Sequence, residues 1–313
     1  MPLLRNAHLL RAFLAVEREG NLSAAARTLA VSQPALTKSI RKLEQQFGVA
    51  LFERSARGMA LTESGVTLLK HAKLIEAQCR FAEASMEKAG GIDSATFRVG
   101  AGTYWGVTVM PRAIAAIQQD LPRLRITFEV GVNSVILPKL YAGDLDFVMS
   151  ALPDPIELPP DIETRPYGRL HQRVVAGRSH PLHRLRRVTV ADLARHGWVL
   201  YQHDRDILSR LAILMRSIGI AGPTILVETT SLHAVTQLLK SGPYLACVPD
   251  GFLKAAPDDD IAELPFREDI WSFPSGALFH ASLVEATPIR ALLEASHGIA
   301  KQTLRPARRA RVA

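Results

Sequence analysis

The sequence predicts an N-terminal all-α winged helix-turn-helix with a long helix behind it, followed by a C-terminal α/β domain of two lobes. Residues 23–47 contain two short helical segments joined by a tight turn, which is typical of a helix-turn-helix. Residues 95–300 alternate short apolar runs with helical stretches in two successive groups. This alternation predicts parallel sheets covered by helices, in two lobes with a cleft between them.

The formal net charge of +8 is unevenly distributed along the 313 residues. Residues 1–62 have a net charge of +5, residues 63–91 of zero, residues 92–300 of −2 and residues 301–313 of +5. Together with the motifs described below, we interpret these segments, in order, as a DNA-binding domain, a dimerisation helix with a hinge, a domain that binds a small-molecule effector, and a disordered basic tail. A second DNA contact is the alternative for the tail. A basic N-terminal segment on a nearly neutral body indicates that the N-terminal segment binds nucleic acid and that the body has a different function.

Composition excludes several other classes of protein. A hydrophobic content of 48% and a charged content of 22% are those of an ordinary globular protein. Two cysteines are too few for a disulfide framework or a zinc site. No apolar run approaches ~20 residues, and charge interrupts the first apolar stretch before it could serve as a signal peptide. We expect a cytoplasmic protein with no metal, no cofactor and no membrane contact.

The helices of the N-terminal module are marked by caps. The first helix is predicted over Ala7–Glu19, where apolar residues recur at helical spacing, and Gly20 ends it. Ser23 is the predicted N-cap of a short second helix. Ser32 then caps a third helix, in which Pro34 occupies the first turn, where its missing N–H costs nothing.

The third helix has an apolar and a polar face. The apolar face, which we predict to be buried, consists of Leu36, Ile40, Leu43 and Phe47. The polar face carries amide, hydroxyl and basic side chains, which read base edges and contact phosphates when a helix lies in the major groove. The DNA-binding residues predicted on this helix are Ser32, Gln33, Pro34, Thr37, Lys38 and Arg41. The alternative is an ordinary solvated face, but the capped turn and the segregated charge favour DNA.

Two short extended segments after Gly48 predict a hairpin, or wing, beside the third helix. They flank Arg54 and Arg57, which we expect to contact phosphate or to enter the minor groove. A plain surface turn is the alternative for either arginine.

A long helix beginning after Thr62 carries apolar residues at alternating spacings of four and three, which is a heptad pattern. The dimerisation residues predicted on it are Leu68, Ala72, Ile75, Cys79, Ala82 and Met86. Such a helix extends about 40 Å, and we expect it to pair with the same helix of a second chain. A core helix packed on its own domain would show the same pattern. Cys79 is interpreted as a small buried side chain.

Polar segments follow the predicted strands of the C-terminal domain, at the strand ends where ligands bind in open α/β sheets. These segments are residues 100–105, 131–134, 201–204 and 228–231, and they include Ser134 and Thr230. Several of them open a helix, whose N-terminus favours an anion such as a carboxylate. Ordinary helix capping is the alternative for each residue, and effector binding is favoured for the group.

The N-terminal motifs resemble those of the LysR-type transcriptional regulators. The resemblance is carried by the runs Asn21–Ala26, Val31–Thr37, Leu51–Arg54 and Leu61–Gly65, and it is densest over residues 7–66. It implies that Gln33, Pro34, Thr37 and Lys38 approach bases and backbone, and that a basic wing residue, Arg54 or Arg57, reaches the minor groove. The family often has Ser and Arg where this chain has Thr37 and Lys38, and Lys lacks the bidentate geometry of Arg.

The resemblance continues into the C-terminal part through the run Leu140–Asp146 and, more loosely, through Lys240–Pro249. It implies a periplasmic-binding-protein-like domain with two Rossmann-like lobes. The effector contacts that it carries over are Gly102, Thr103, Asn133 and His203. It further implies double-stranded operator DNA as a partner, while the ligand itself does not carry over from the family. The helix N-termini at the strand ends favour a small organic acid as the effector. We expect a homodimer that assembles into a tetramer and contacts RNA polymerase.

No arrangement of residues indicates catalysis. Ser39 and Lys42 match a Ser-x-x-Lys pattern, but they lie on the third helix without a partner motif. His180 and His183 have no convincing metal partners. The sequence therefore predicts a transcriptional regulator and not an enzyme. One alternative is a solute-binding or catalytic α/β protein that its N-terminal domain anchors to DNA, and another is a sequence-neutral architectural DNA protein.

Overall fold

The computed structural model describes residues 7–55, 58–86, 96–255 and 258–304. The predicted hinge, Arg57 and the end of the basic tail lie outside the described residues, as do the side chains of Arg54 and Met86. The chain divides into two compact units at Arg80 and Phe81, and the short segment Ala142–Asp144 groups with the first unit.

The first unit is a winged helix-turn-helix, as predicted. Its elements are α1 (Ala7–Glu19), α2 (Leu22–Thr28), α3 (Gln33–Phe47), β1 (Phe52–Ser55), β2 (Gly58–Leu61) and the greater part of α4 (Glu63–Met86). The helices enclose an apolar core in which Leu9, Phe13 and Leu43 are completely buried. β1 and β2 form an antiparallel hairpin with Phe52 opposite Leu61.

The N-cap of α2 is Asn21, and the prediction of Ser23 was wrong. Asn21 Oδ1 accepts hydrogen bonds from the backbone N–H groups of Ser23 and Ala24, at 2.8 and 3.2 Å. Gly20 adopts a left-handed conformation with φ of +60°, which ends α1 and leaves Asn21 as the extended residue ahead of the next helix. The cap therefore falls directly after the turn, because only an extended residue can point its side chain at the first free N–H groups.

The boundaries of α3 agree with the prediction, but its last residue is not buried. Ser32 Oγ accepts a hydrogen bond from Ala35 N at 3.3 Å, and Pro34 lies in the first turn. Phe47, predicted to be buried, is 42% exposed. Gly48 ends the helix in the left-handed conformation directly after it, so Phe47 lies beyond the part of α3 that packs on the core.

Only part of the heptad pattern of α4 is exposed in the single chain, which corrects the prediction that all of its residues form one dimer seam. Leu68 and Ala72 are buried in the core of their own unit, so they are not available to a second chain. Ile75, Cys79 and Ala82 are exposed in the single chain, and Cys79 is therefore not a buried side chain here. An apolar repeat predicts that one face of a helix packs against other parts of a protein. It does not show whether those parts belong to the helix's own domain or to a second chain.

The second unit contains two α/β lobes. In chain order its elements are β3 (Thr96–Ala101), α5 (Thr103–Thr108), α6 (Met110–Asp120), β4 (Arg125–Val130), α7 (Asn133–Tyr141), β5 (Phe147–Ala151), β6 (Ile162–Gly177), α8 (Val190–Ala194), β7 (Gly197–Tyr201), α9 (Arg205–Arg216), β8 (Thr224–Thr229), α10 (Leu232–Ser241), β9 (Tyr244–Pro249), α11 (Phe252–Ala255), β10 (Ile261–Glu263), β11 (Ser272–His280) and α12 (Thr287–Thr303). Short 3₁₀ turns lie at Pro155–Glu157, Pro181–Arg184 and Ala281–Leu283.

The sheet is mixed, whereas the strand-helix alternation predicted parallel sheets. Its strands follow the order β4-β3-β5-β11-β6-β9-β7-β8, with β10 paired to β6. β3 runs parallel to β4 and β5, and β7 runs parallel to β8 and β9. β6 and β11 are antiparallel to their neighbours. Neither of these two strands has a crossover helix, so the alternation of strands and helices gave no sign of them.

The two lobes are joined by β6 and β11. β6 pairs with β11 from Ile162 to His171 and with β9 from Gln172 onward, so one strand passes from the first lobe into the second. The chain returns at Trp271, whose carbonyl accepts a hydrogen bond from Gln172 N at 2.9 Å. The two chain segments that pass between the lobes, in β6 and before β11, therefore lie side by side.

The helical stretch over residues 106–119 is divided into two helices, and the last helix is longer than predicted. α5 and α6 are separated at Val109. Pro111 in the first turn of α6 has no N–H to donate and cannot continue the preceding helix. The predicted tail began at residue 301, but α12 continues to Thr303, and Ala300 in its last turn is buried.

Replacing Asn21 by Ala removes both hydrogen bonds at the start of α2. We expect this change to lower the free energy of unfolding of the first unit by about 1 kcal/mol, the usual loss for a helix cap. Ser23→Ala is the matched control, and its loss should stay below about 0.5 kcal/mol because Ser23 is not the cap. Urea titration of the full chain, followed by circular dichroism, measures both, and equal losses would contradict the assignment of the cap.

Candidate functional site

One face of α3 is polar, basic and open to solvent. Lys38, Arg41 and Lys42 are exposed, and none of them forms an ion pair with another described residue. The surface is lined by Gln33, Pro34, Thr37, Lys38, Arg41, Lys42 and Gln45. The structure thus brings the predicted DNA-binding residues of α3 together, while Ser32 at its start is engaged as the helix cap. Uncompensated positive charge on an exposed helix attracts phosphate.

The first residue of α3 is held in place by its neighbour helix. Ser23 Oγ donates a hydrogen bond to Gln33 Oε1 at 2.8 Å, and Thr37 Oγ1 donates to the backbone oxygen of Gln33 at 2.9 Å. With its oxygen occupied, Gln33 presents its NH₂ group as a donor. The sequence reasoning assigned Ser23 to capping and missed this orienting contact, which no local pattern reveals.

The wing is fastened to the end of α1. Met59 N donates a hydrogen bond to Gly20 O at 2.9 Å. Gly58 has φ of +121°, and a Cβ there would lie 2.4 Å from Gly20 O, so this close approach requires glycine. The backbone of Arg54 lies in β1 opposite Met59. The proposed contacts of the Arg54 and Arg57 side chains with DNA lie outside the described residues and stay predictions.

A cleft of about 90 Å³ lies between the two lobes of the second unit. Its first-lobe wall is made of Gly102, Thr103, Tyr104, Trp105, Gly131, Val132, Asn133, Ser134, Ser150 and Ala151. Its second-lobe wall includes His203, Asp204, Arg205, Asp206 and Pro249, and the crossing strands contribute Leu170, Gln172, Trp271 and Phe273.

Five of the six predicted effector residues line this cleft, and Thr230 does not. Thr230 follows β8, which is the edge strand of the sheet, so its segment lies one strand away from the opening. The five residues that converge are Gly102, Thr103, Asn133, Ser134 and His203. They come from strand ends that the topology brings together, which is the physical basis of the prediction.

A hydrogen-bonded network stiffens the first-lobe wall. Asn133 Nδ2 donates to Ala151 O at 2.9 Å, and Ser150 Oγ donates to Asn133 Oδ1. Trp105 Nε1 donates to Ser275 Oγ, which in turn donates to Ser150 O at 2.9 Å. The network satisfies groups that would otherwise be buried without partners. Sequence reasoning missed both serines, because each lies inside an otherwise apolar strand.

Glycine at position 102 lets the chain pass close to this network. A Cβ on Gly102 would lie 2.7 Å from Ser150 Oγ. Gly102 N donates to Met149 O at 2.8 Å, so its backbone cannot move away without losing that bond.

One hydrogen bond spans the cleft. Ser134 Oγ, in the first turn of α7, donates to the carbonyl oxygen of His203 in the second lobe at 3.0 Å. His203 has φ of +66°, a left-handed backbone conformation that residues other than glycine rarely adopt. The backbone of this loop thus directs the His203 carbonyl toward the first lobe. In this structure His203 contacts the first lobe through its backbone oxygen.

The second-lobe wall carries a carboxyl group with a perturbed pKa. Asp204 caps α9 by accepting a hydrogen bond from Ile207 N at 3.2 Å. Burial raises the pKa of Asp204 to about 6, and the nearby charge of Asp206 raises it further. Burial and the charge of Asp204 together raise the pKa of the Cys247 thiol, which stays protonated. The sequence reasoning named the segment that ends at Asp204 but did not single this residue out.

Among the described residues, no group of three or more His, Cys, Asp or Glu side chains could hold a metal ion. Within the same residues, no helix combines the length and the apolar character that crossing a bilayer requires.

A winged helix-turn-helix joined to a two-lobed domain with a ligand-sized cleft is the architecture of a DNA-binding regulator. Residues 7–66 match the family model "Bacterial regulatory helix-turn-helix protein, lysR family", and residues 90–298 match "LysR substrate binding domain". The chain therefore belongs to the LysR family of transcriptional regulators, which are not enzymes.

Similar proteins agree with this assignment. The HTH-type transcriptional regulator PcaQ of Agrobacterium fabrum is 28% identical over 288 residues, which cover 91% of this chain and 92% of PcaQ. ArgP from Mycobacterium tuberculosis has a similar structure, with a TM-score of 0.73 and 22% identity over 95% of this chain and 98% of ArgP. Full-length CbnR complexed with its target DNA gives a TM-score of 0.58 and 23% identity over 95% of this chain and 99% of CbnR. The two solved structures show the fold.

Replacing Ser134 by Ala removes the hydrogen bond that spans the cleft. We expect faster amide hydrogen exchange over residues 201–205, because the loop loses a partner in the opposite lobe. Ser231→Ala is the control: it deletes the same hydroxyl at the N-cap of α10, where Ser231 Oγ accepts from Ala234 N. Exchange measured by mass spectrometry on the full chain should change at residues 201–205 only in the first variant. Unchanged exchange there would show that the bond does not hold the lobes.

Proposed function

We propose that this chain is a sequence-specific transcriptional regulator that binds operator DNA through α3 and the wing and responds to a small organic effector. The proposal of DNA binding rests on the exposed face of α3, where Lys38, Arg41 and Lys42 form no ion pair with any described residue. Gln33 and Thr37 on the same face offer donors for base edges, while Lys38 and Arg41 are placed for phosphates. The CbnR complex with target DNA supports the same use of this fold.

The proposed active form is a homodimer that pairs further into a tetramer. Ile75, Cys79 and Ala82 lie at spacings of four and three on α4 and are exposed in the single chain. A second copy of α4 would bury this apolar strip, which extends the helix face already used by Leu68 and Ala72 in their own core. Two DNA-binding units would then address half-sites about one helical turn apart.

The proposed effector site is the cleft of the second unit. The first turn of α7, with Asn133 and Ser134, favours a carboxylate because it is the positive end of the helix dipole. A ligand between the lobes would favour one cleft geometry, provided that it binds the two states with unequal affinity. The resulting change in subunit pairing would alter the bending of DNA and the recruitment of RNA polymerase, in the cytoplasm where operator DNA is accessible.

The remaining rival is an architectural DNA protein that binds without sequence preference. DNase footprinting on the DNA upstream of the chain's own gene separates the two. A discrete protected region with two related half-sites supports the proposal, and uniform protection of all fragments contradicts it.

Replacing Arg41 by Ala removes one proposed phosphate contact. We expect weaker binding to specific and unrelated duplexes alike, with the slope of log K against log salt reduced by about one unit. Arg216→Ala is the control, because Arg216 is also exposed on a helix but lies in the second unit. Fluorescence anisotropy over a salt series measures both slopes. An unchanged slope for the Arg41 variant would show that this side chain does not contact phosphate.

A further inference from the structure

The lining of the cleft includes a buried acceptor to which no described residue donates. Gln172, where β6 passes between the lobes, is 8% exposed, and its Oε1 has no hydrogen-bond partner among the described residues. The residue lines the cleft. A buried oxygen of this kind costs free energy unless something donates to it, so it indicates a donor on the molecule that fills the cleft.

The same cleft contains a negative charge without a cation. Asp204 receives a hydrogen bond from Ile207 N but forms no ion pair with any described residue. Burial raises its pKa to about 6; the hydrogen bond from Ile207 N opposes this rise, and the charge of Asp206 adds to it. At neutral pH the carboxylate is therefore ionised in a poorly solvated place, where a cation would stabilise it most.

A positive charge also lines the cleft. Arg205 is exposed and pairs with no acidic group among the described residues, and Asp206 beside it in the lining is exposed as well. The first turn of α7 lies on the opposite wall. The cleft lining thus combines an unpaired acceptor and an anion with groups that can bind an anion.

We propose that the effector is an α-amino acid. Its ammonium group donates to Gln172 Oε1 and pairs with the Asp204 carboxylate, while its own carboxylate faces Arg205 and the first turn of α7. A hydroxyl compound would satisfy Gln172 but leave Asp204 without a counter-charge, and a dicarboxylate would place like charge beside Asp204. The inference rests on the proposed function, since it names the chemistry of the ligand for that same cleft.

Matched ligands test the inference on the full-length protein. Calorimetry and thermal shift compare the proteinogenic L-amino acids with their analogues that lack the amino group, such as propionate, 4-methylpentanoate, 3-phenylpropionate and glutarate. We expect at least one amino acid to bind about tenfold or more tightly than its deaminated partner. Equal or tighter binding of the carboxylic acids overturns the inference but leaves the effector cleft intact. Binding of neither set overturns the inference, and operator footprinting judges the proposed function separately.

Two variants, Asp204→Asn and Gln172→Met, test where the ammonium group binds. Asp204→Asn removes the charge but keeps an oxygen that can cap α9, so the fold should be kept while amino-acid affinity falls about tenfold or more. Asp154→Asn is the matched control, because Asp154 caps a short 3₁₀ turn through Ile156 N outside the cleft lining. Unchanged affinity in the Asp204 variant overturns the assignment.

Gln172→Met removes the unpaired oxygen at nearly constant side-chain length. The melting temperature without ligand should stay equal or rise, because no hydrogen bond to Oε1 is lost, while amino-acid affinity falls. A purely structural role for Gln172 would lower the melting temperature and leave affinity unchanged, and that result would contradict the proposal.

Discussion

The second unit depends on two strands that cross between its lobes side by side. β6 carries the chain outward and β11 brings it back, and the bond from Gln172 N to Trp271 O ties the crossings together. Because the parallel strands of each lobe end toward this junction, their polar segments face each other across one cleft. The crossing residues also line the cleft, so a ligand there contacts the structure that joins the lobes.

The two walls of the cleft differ in how firmly they are held. On the first lobe, hydrogen bonds connect Trp105, Ser275, Ser150 and Asn133, and Gly102 leaves no room for a side chain beside them. On the second lobe, His203 has an unfavourable backbone conformation and is tied across the cleft by a single serine hydroxyl. A strained backbone conformation persists only while surrounding contacts hold it, so a ligand that binds this loop in a different conformation would shift the equilibrium between the two.

The proposed DNA-binding face of α3 is exposed because the other groups of the helix are used within the first unit. Leu36, Ile40 and Leu43 fill the core, Ser32 caps the helix, and Ser23 fixes the amide of Gln33. Lys38, Arg41 and Lys42, which lie outside the core, form no ion pair with any residue that the structure describes. The unit is thus complete without them, and their charge is free to act on a partner.

Local rules were sufficient for most elements of the first unit whose decisive contacts are close in sequence. Helix α1, the cap at Ser32 and the hairpin after Gly48 could be predicted, because each is specified by residues within one or two turns. The family could likewise be identified from the motifs around α3. Ser23 shows the limit of such rules. Asn21 and Ser23, two positions apart, both have side chains that can cap a helix, and the backbone turn at Gly20 selected Asn21.

The sequence by itself determined the helix-turn-helix, the two α/β lobes and five residues of the cleft, since periodicity, caps and strand ends are local properties. Only the tertiary structure decided that β6 and β11 run antiparallel, that Leu68 and Ala72 belong to their own core, and that Gln172 and Asp204 share a cleft with Ser134. These outcomes depend on contacts between residues far apart in the chain. No single segment encodes such contacts, because burial and charge compensation are properties of the surroundings that folding creates.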